Sequence, residues 1–216
     1  MVKNKKDGLK KYGPWISLII IIAIIVFLVN IDRVFNIELP TPEEIEQEIT
    51  KVPLADISSY QNNPNGILIE EYSDYQCPFC RNAYPLLKQI LLKHNGKINF
   101  VHHHMALPYH EYAQKAAEAA ECARDQGRFL EFNDKMFYAA SLEVEEIKRY
   151  ALQMGLDMEQ FNMCLDSGMK EEQILGELDD AIKKGVTGTP TFAVNGEFVF
   201  LDEVEAMIMA YEGVTN

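Results

Sequence analysis

Two cysteines stand two residues apart in the stretch YSDYQCPFCRNAYP, which runs from residue 72 to residue 85. Cys77 and Cys80 enclose Pro78 and Phe79. This spacing suits a redox-active dithiol, half of a zinc site, or two unrelated core thiols. The elements around the motif, and the compartment in which the motif works, decide between the three.

A zinc site needs two further ligands, and the sequence has no second C-x-x-C motif. His102, His103 and His104 are candidates, but neighbouring residues of a strand point to opposite faces, so at most two of them share a face. We therefore expect neither a bound metal nor a cofactor, and we assign these histidines no chemistry. Two inert core thiols would need no particular position in the chain, so a specific position of the pair at a strand-to-helix junction argues against this interpretation.

The elements that position the motif follow from hydrophobic patterning. Residues 67–72, ILIEEY, follow the turn signal NNPNG and predict a buried strand. Residues 81–96 show apolar side chains at helical spacing and end at Asn-Gly, and residues 97–103, KINFVHH, predict a second strand. The order strand, CPFC, helix, strand places the cysteines at a helix N-terminus.

This position favours the redox interpretation. Cys77 at the N-cap faces unpaired backbone N–H groups and the positive end of the helix dipole, which stabilise a thiolate. Cys80 lies one turn further on, within reach for a disulfide but more deeply buried. We expect Cys77 to exchange with substrates and Cys80 to resolve the mixed disulfide.

The rest of the folded part is helical and then forms a hairpin. Apolar stripes at helical spacing run through residues 108–184, with Asp157 as an N-cap and Ile174, Leu175, Leu178, Ala181 and Ile182 striping the last helix. Residues 191–194 and 197–201, joined by Asn195-Gly196, predict a hairpin, and residues 202–212 a closing helix.

The N-terminus carries an apolar segment that decides the compartment. Residues 15–29 contain no charge and one polar residue, Ser17, so residues 14–31 predict a transmembrane helix. A cleaved signal peptide is the alternative, but no small-x-small cleavage site follows the segment. Five lysines in residues 1–13 against one aspartate place the N-terminus in the cytoplasm and the rest outside the cell membrane, where disulfides persist.

Composition narrows the function classes. The 216 residues are 48% hydrophobic and 25% charged, which is typical of a globular domain with an appendage. The formal net charge of −13 repels phosphate backbones, so we expect no nucleic-acid partner. Residues 32–51 are acidic, contain two prolines and predict a linker.

The motifs of residues 52–213 resemble the DsbA-like thiol–disulfide oxidoreductases of the thioredoxin superfamily. The resemblance rests on EEYSDYQCPFC, on LPYHEYAQKAAEAAECARDQGRF and on GVTGTPTFAVNG. It implies an α/β thioredoxin-like fold with an inserted helical subdomain, and the transmembrane helix predicted above precedes this fold. The first part of the fold is residues 52–107, the insertion residues 108–184, and the second part residues 185–216.

The resemblance also implies roles for further residues. Thr189-Pro190 matches the cis-proline site that faces the cysteine pair and docks the substrate backbone. Glu71, six residues before Cys77, matches a buried acid that relays the proton of Cys80; an exposed strand-end glutamate is the alternative. The best-known oxidases of the family have a histidine between the cysteines, whereas this chain has Pro78-Phe79, and phenylalanine donates no hydrogen bond to a thiolate.

Cys122 and Cys164 are expected to form a structural disulfide inside the insertion. Four cysteines outside the cell are expected to pair off, and some relatives carry an extra bridge between insertion helices. The alternative is a pair of buried free thiols.

The resulting prediction is an enzyme, a protein thiol–disulfide oxidoreductase that introduces disulfides into exported proteins. Its partners would be reduced or unfolded exported proteins and a membrane redox partner. We expect a monomer, since no dimerisation domain is evident. A membrane-anchored reductase or isomerase is the first alternative, and a non-catalytic thioredoxin-like binding module the second.

Overall fold

The computed structural model describes residues 63–214. The predicted cytoplasmic segment 1–13, the anchor 14–31 and the linker 32–51 lie outside these residues. None of the helices within residues 63–214 combines the length and apolar character needed to span a bilayer.

A four-stranded sheet forms the centre of the described part, with strand order β2-β1-β3-β4. The strands are β1 (Ile67–Ser73), β2 (Ile98–His104), β3 (Thr191–Val194) and β4 (Glu197–Val199). β1 runs parallel to β2 and antiparallel to β3, and β3 pairs with β4 in the predicted hairpin. The hairpin ends two residues earlier than predicted, because the closing helix already begins at Leu201.

Two helices belong to the part of the chain that carries the cysteines and the hairpin. Helix α1 (Pro78–Lys93) connects β1 to β2, and the C-terminal helix α7 (Leu201–Val214) packs against β3 and α1. Leu87 and Ile90 of α1 join Val204 and Ile208 of α7 in the main hydrophobic core. The core therefore holds the helix that begins at the cysteine pair firmly against the sheet.

Five helices are inserted between β2 and β3. They are α2 (Ala113–Arg124), α3 (Phe129–Tyr138), α4 (Val144–Gln153), α5 (Met158–Asp166) and α6 (Glu171–Lys183). The alanine stripe of α2 is buried, which lets α3, α5 and α6 approach its backbone closely. Asp157 caps α5 as predicted, its Oδ1 accepting the backbone N–H groups of Glu159 and Gln160.

The structure joins Cys122 at the end of α2 to Cys164 of α5. The Sγ atoms are 1.99 Å apart and the Cα atoms 5.9 Å apart. Both cysteines are buried, so the bridge lies inside the insertion.

Helix α6 departs from its predicted stripe. Ile174 and Ala181 are buried, but Leu175 and Ile182 are exposed. α6 contacts β2 and α2 along one narrow line, so only one apolar residue per turn finds a neighbour. A stripe two residues wide was therefore too broad a prediction.

A buried polar seam joins the cysteine-bearing helix to the insertion. Lys88 of α1 pairs with Asp134 of α3 at 2.5 Å, and the Tyr84 hydroxyl donates to the same carboxylate oxygen at 3.1 Å. Burial raises the pKa of Asp134, and the hydrogen bond and charge of Lys88 act in the opposite direction. One α3 residue earlier, Asn133 accepts the Tyr75 hydroxyl at 2.7 Å.

Candidate active site

Cys77 is the N-cap residue of α1. Its backbone is extended, and Pro78 occupies the first helical position, where no N–H is needed. The Cys77 N–H donates to the main-chain oxygen of Asp74 at 3.1 Å and to Asp74 Oδ1 at 3.2 Å. Its carbonyl accepts the Arg81 N–H at 3.1 Å and closes the first turn. The position predicted from the motif is therefore the one observed.

The loop before β3, which contains Thr189 and Pro190, contacts the side chain of Cys77. Cys77 Sγ donates to the carbonyl oxygen of Thr189 at 3.6 Å, and the Thr189–Pro190 peptide bond is cis. Since β3 lies beside β1, residues 112 positions apart in the chain become neighbours. The structure thus brings together Cys77, Cys80, Thr189 and Pro190, as the resemblance implies.

Cys80 follows Cys77 by one helical turn and is fully enclosed. Both thiols are free in this structure, and Cys80 has no exposed surface whereas Cys77 retains 4%. Burial raises the pKa of the Cys80 thiol from 9.0 to about 12, although the Ser73 and Thr189 side chains and the Asp74 backbone act in the opposite direction. Cys80 is consequently a protonated thiol at neutral pH.

Asp74 ties the cysteine loop to the chain that enters the insertion. Oδ1 accepts the N–H groups of Gln76 and Cys77, at 2.7 and 3.2 Å. Oδ2 accepts the Leu107 N–H at 2.9 Å and lies 2.8 Å from Nδ1 of His110. The sequence pattern alone does not mark Asp74 as a residue of the site. An aspartate three residues before a helix-starting cysteine is a turn signal, but its second partner, 33 residues away, leaves no mark in the sequence.

Glu71 is fully buried, which excludes the exposed strand-end alternative. Its Oε2 lies 2.9 Å from Nδ1 of His102, the residue opposite it on β2. Oε1 of Glu71 and Nε2 of His102 are buried and have no hydrogen-bond partner among the described residues. The proton relay from Cys80 to Glu71 stays a prediction.

The other histidines of β2 also pair with acids, so they are not merely polar strand-end residues. His104 Nε2 lies 3.0 Å from Oε1 of Glu121 in α2, and Arg124 Nε donates to both oxygens of Glu121. Burial alone would raise the pKa of Glu121, but His104, Arg124 and Gln173 together lower it to about 2. On the opposite face, His103 pairs with Glu70 at 3.1 Å.

The surface around the cysteines presents aromatic side chains. Phe79, between the two cysteines, is 72% exposed, and Tyr109, next to the Asp74 partner His110, is 77% exposed. Within residues 63–214, no group of three or more histidine, cysteine, aspartate or glutamate side chains is arranged to hold a metal ion.

A protein-family comparison decides the family. The model described as Thioredoxin matches residues 65–210, which include every strand and the whole insertion. This chain belongs to the thioredoxin family. The DsbA-like thioredoxin fold with a helical insertion, predicted from the motifs, is confirmed.

Solved thioredoxin-family structures share this architecture. A thioredoxin-like oxidoreductase from Silicibacter pomeroyi superposes with a TM-score of 0.61 at 24% identity and covers 72% of this chain and 97% of its own. The thiol-disulfide exchange protein alpha-DsbA2 from Wolbachia pipientis also has a TM-score of 0.61, at 20% identity, with 85% and 92% covered. Likeness at this identity establishes the fold.

A sequence relative in this family is much longer than the chain. The Na(+)/H(+) antiporter NhaA 3 of Salinispora tropica is 36% identical over 132 residues, which are 60% of this chain and 20% of the antiporter. The chain thus spans about a fifth of the length of that curated relative.

Proposed function

We propose that this thioredoxin-family protein is a thiol–disulfide oxidoreductase that introduces disulfides into exported proteins through the Cys77–Cys80 couple. One observation carries the proposal. Cys77 Sγ lies at the helix N-terminus, 3.6 Å from the Thr189 carbonyl, and the enclosed thiol of Cys80 follows one helical turn later. A substrate can therefore reach the first sulfur while the second stays protected until it is needed.

The oxidising reaction has two exchange steps. A substrate thiolate attacks Cys77 Sγ of the oxidised couple, so a substrate–Cys77 bond forms and the Cys77–Cys80 bond breaks. Cys80 leaves with the electron pair and takes a proton. A second substrate thiolate then attacks the substrate sulfur, which forms the substrate disulfide and releases Cys77 as a thiolate. Two electrons have passed from the substrate to the enzyme, and the two substrate thiols have released their protons, while Cys80 has taken up one.

The direction of exchange is the finer part of the proposal. A reductase or isomerase would run the same steps in reverse, with Cys77 attacking a substrate disulfide. We favour the oxidase because a helical insertion covers the sheet, although Phe79 supplies no donor to the Cys77 thiolate. Equilibration with glutathione gives the reduction potential. A value near −180 mV or above supports the oxidase, and a value near −270 mV, as in thioredoxin, supports the reductase.

Trapping experiments test the enzyme itself against a binding module. Cys80→Ser should accumulate mixed disulfides between Cys77 and unfolded substrate proteins that carry a disulfide, because the Cys77 thiolate attacks that disulfide and no second cysteine resolves the product. Cys77→Ser is the matched control and should trap none, since Cys80 is enclosed. Equal trapping by both variants, or by neither, contradicts the assignment of roles.

We further propose that residues 14–31 anchor the protein in the cell membrane, with the catalytic domain outside and a membrane redox partner reoxidising Cys77 and Cys80. The charge asymmetry around that segment supports this arrangement. We also propose that the protein acts as a monomer. The membrane-extracted protein should retain residues 1–31, which peptide mass mapping of its N-terminal part checks. A protein lacking about the first 31 residues indicates a cleaved signal instead.

A further inference from the structure

An acidic side chain lies beside the thiol that carries negative charge during exchange. Asp74 Oδ1 accepts the N–H of Cys77 at 3.2 Å, so the acid contacts the residue whose sulfur becomes a thiolate. The Asp74 side chain has no exposed surface, so water does not screen its charge. Two negative charges this close together repel each other strongly where water is excluded. The site therefore needs a group that offsets the charge of Asp74.

The contacts of Asp74 show which group can do so. Oδ1 accepts the N–H groups of Gln76 and Cys77, and Oδ2 accepts the N–H of Leu107. A carboxylate satisfies all three, because it only accepts hydrogen bonds. The fourth contact is Nδ1 of His110, 2.8 Å from Oδ2. Since the carboxylate has no proton to give, the imidazole is the donor and carries its N–H at Nδ1.

His110 is held against Asp74 by the turn in which it lies. Its backbone N–H donates to the Leu107 carbonyl at 2.9 Å, and the Leu107 N–H in turn donates to Asp74. The Tyr109 ring packs edge-on against the imidazole, with the ring centroids 4.6 Å apart. Within residues 63–214, His110 is the one basic side chain that pairs with Asp74. A single imidazole thus offsets the carboxylate beside Cys77.

We propose that His110 is a positioning residue for thiol–disulfide exchange, whose imidazole N–H binds the Asp74 carboxylate and so weakens its repulsion of the Cys77 thiolate. The inference rests on the proposed function, because it concerns the charge that Cys77 gains in that reaction. His110 acts through Asp74, which it holds in place and whose charge it offsets. It thereby favours the thiolate in a motif whose Phe79 offers no hydrogen-bond donor.

Reduction of the enzyme by glutathione measures this effect. Two glutathione thiols reduce the Cys77–Cys80 disulfide: glutathione disulfide forms, the enzyme disulfide breaks, and two electrons pass to the enzyme. One of the two glutathione protons goes to Cys80 and the other to solvent, so Cys77 is left as a thiolate. A group that stabilises this thiolate stabilises the reduced enzyme and raises the equilibrium constant for its reduction.

Substitutions at the two residues should shift this constant in opposite directions. In His110→Leu the carboxylate loses its imidazole, so the constant should fall about fivefold, which is about 21 mV for a two-electron couple. In Asp74→Asn the negative charge beside Cys77 is gone, so the constant should rise by more than about twofold. Loosening of the loop alone would shift both variants in the same direction. Alkylation of the free thiols of the full-length protein in glutathione buffers gives the reduced fraction.

Two further variants test whether His110 works through Asp74. In the Asp74→Asn background, adding His110→Leu should change the constant by less than about twofold, because no carboxylate is left to offset. His110→Asn keeps a neutral donor and should return the constant to within about twofold of wild type. His94→Leu is the matched control: it breaks a similar histidine–acid contact, 3.2 Å from Glu212, beyond the far end of α1, and should leave the constant unchanged.

The outcomes separate this role from the function on which it rests. A change below about twofold in His110→Leu overturns the proposal, and so do shifts of the same sign in His110→Leu and Asp74→Asn. An undiminished effect of His110→Leu in the Asp74→Asn background also overturns it. Wild-type protein whose Cys77 and Cys80 never exchange with glutathione contradicts the proposed function itself.

Discussion

The side chains of His102 and Glu71 pair in a site from which solvent is excluded: Nδ1 and Oε2 lie 2.9 Å apart, and neither side chain has any exposed surface. The two residues face each other across neighbouring parallel strands. A carboxylate in such a site depends on its partner, because water cannot replace the lost interaction.

Removing one member of this pair should destabilise the protein far more than removing both. We expect His102→Leu to lower the free energy of unfolding by about 2–3 kcal/mol, because the buried Glu71 carboxyl group is left without its hydrogen-bond partner. The double variant Glu71→Leu, His102→Leu should recover at least about 1 kcal/mol of that loss. Urea unfolding of the oxidised protein measures both. His103→Leu, which removes a partly exposed histidine, is the control, and additive effects in the cycle would show that the pair is not coupled.

The reduced protein should lose stability at alkaline pH because of Cys80. Burial raises the pKa of that thiol from 9.0 to about 12, so the unfolded chain releases this proton before the folded one does. Its contribution is fully present below pH 9 and declines as the pH rises toward 12, by about 1.4 kcal/mol per pH unit at most. Reduced wild type and reduced Cys80→Ala, unfolded in urea from pH 8 to 11, should diverge above pH 9. Parallel pH profiles would contradict this.

The Cys122–Cys164 bridge should stabilise the insertion without taking part in exchange. The two cysteines are 42 positions apart, and the entropy of closing such a loop is worth up to about 4 kcal/mol. We expect Cys122→Ala, Cys164→Ala to unfold at lower urea and to lose amide protection first in α2 and α5. The rates at which the reduced Cys77 and Cys80 of this variant react with the thiol reagent 5,5′-dithiobis(2-nitrobenzoate) should match those of the wild type. A loss below about 1 kcal/mol would show that the bridge constrains little.

Replacing Asp74 should loosen the cysteine loop. In Asp74→Asn, the amide group that replaces Oδ2 faces the Leu107 N–H, so two donors meet in a buried site. We expect a loss of about 2 kcal/mol in the free energy of unfolding and faster hydrogen exchange at the Cys77 and Leu107 amides. Asp166→Asn breaks an exposed pair with Lys148 and should cost less than about 1 kcal/mol. Equal losses in both variants would rule out a special role for Asp74.

The redox centre could be predicted from the sequence because the residues that define it are close together in the chain. Cys77 and Cys80 follow a buried strand and open a helix, and a two-residue spacing needs no knowledge of distant parts of the chain. The hairpin after Pro190 could equally be predicted from Asn195-Gly196. Both residues have positive φ, as this type of turn requires.

The acid–histidine pairs could not be predicted from the sequence, because the burial of these side chains depends on which helices cover the sheet. Three consecutive histidines at the end of a strand are typical of a polar edge. His104 is buried only because α2 places Glu121 over that face, and Glu121 lies within an alanine-rich stretch that predicts packing.

The residue after Cys80 has a consequence for transplanting the motif. The Arg81 guanidinium donates to the Tyr75 carbonyl at 3.2 Å and to the Met136 carbonyl at 3.5 Å, and it also bonds to the carbonyl of Ala139. It thereby closes the C-terminal end of α3 while bracing the turn that carries the cysteines. A graft of residues 72–85 onto another scaffold would carry the Tyr75 carbonyl along but leave this cation without the carbonyls of Met136 and Ala139. A transplanted motif therefore needs the C-terminal end of α3 as well.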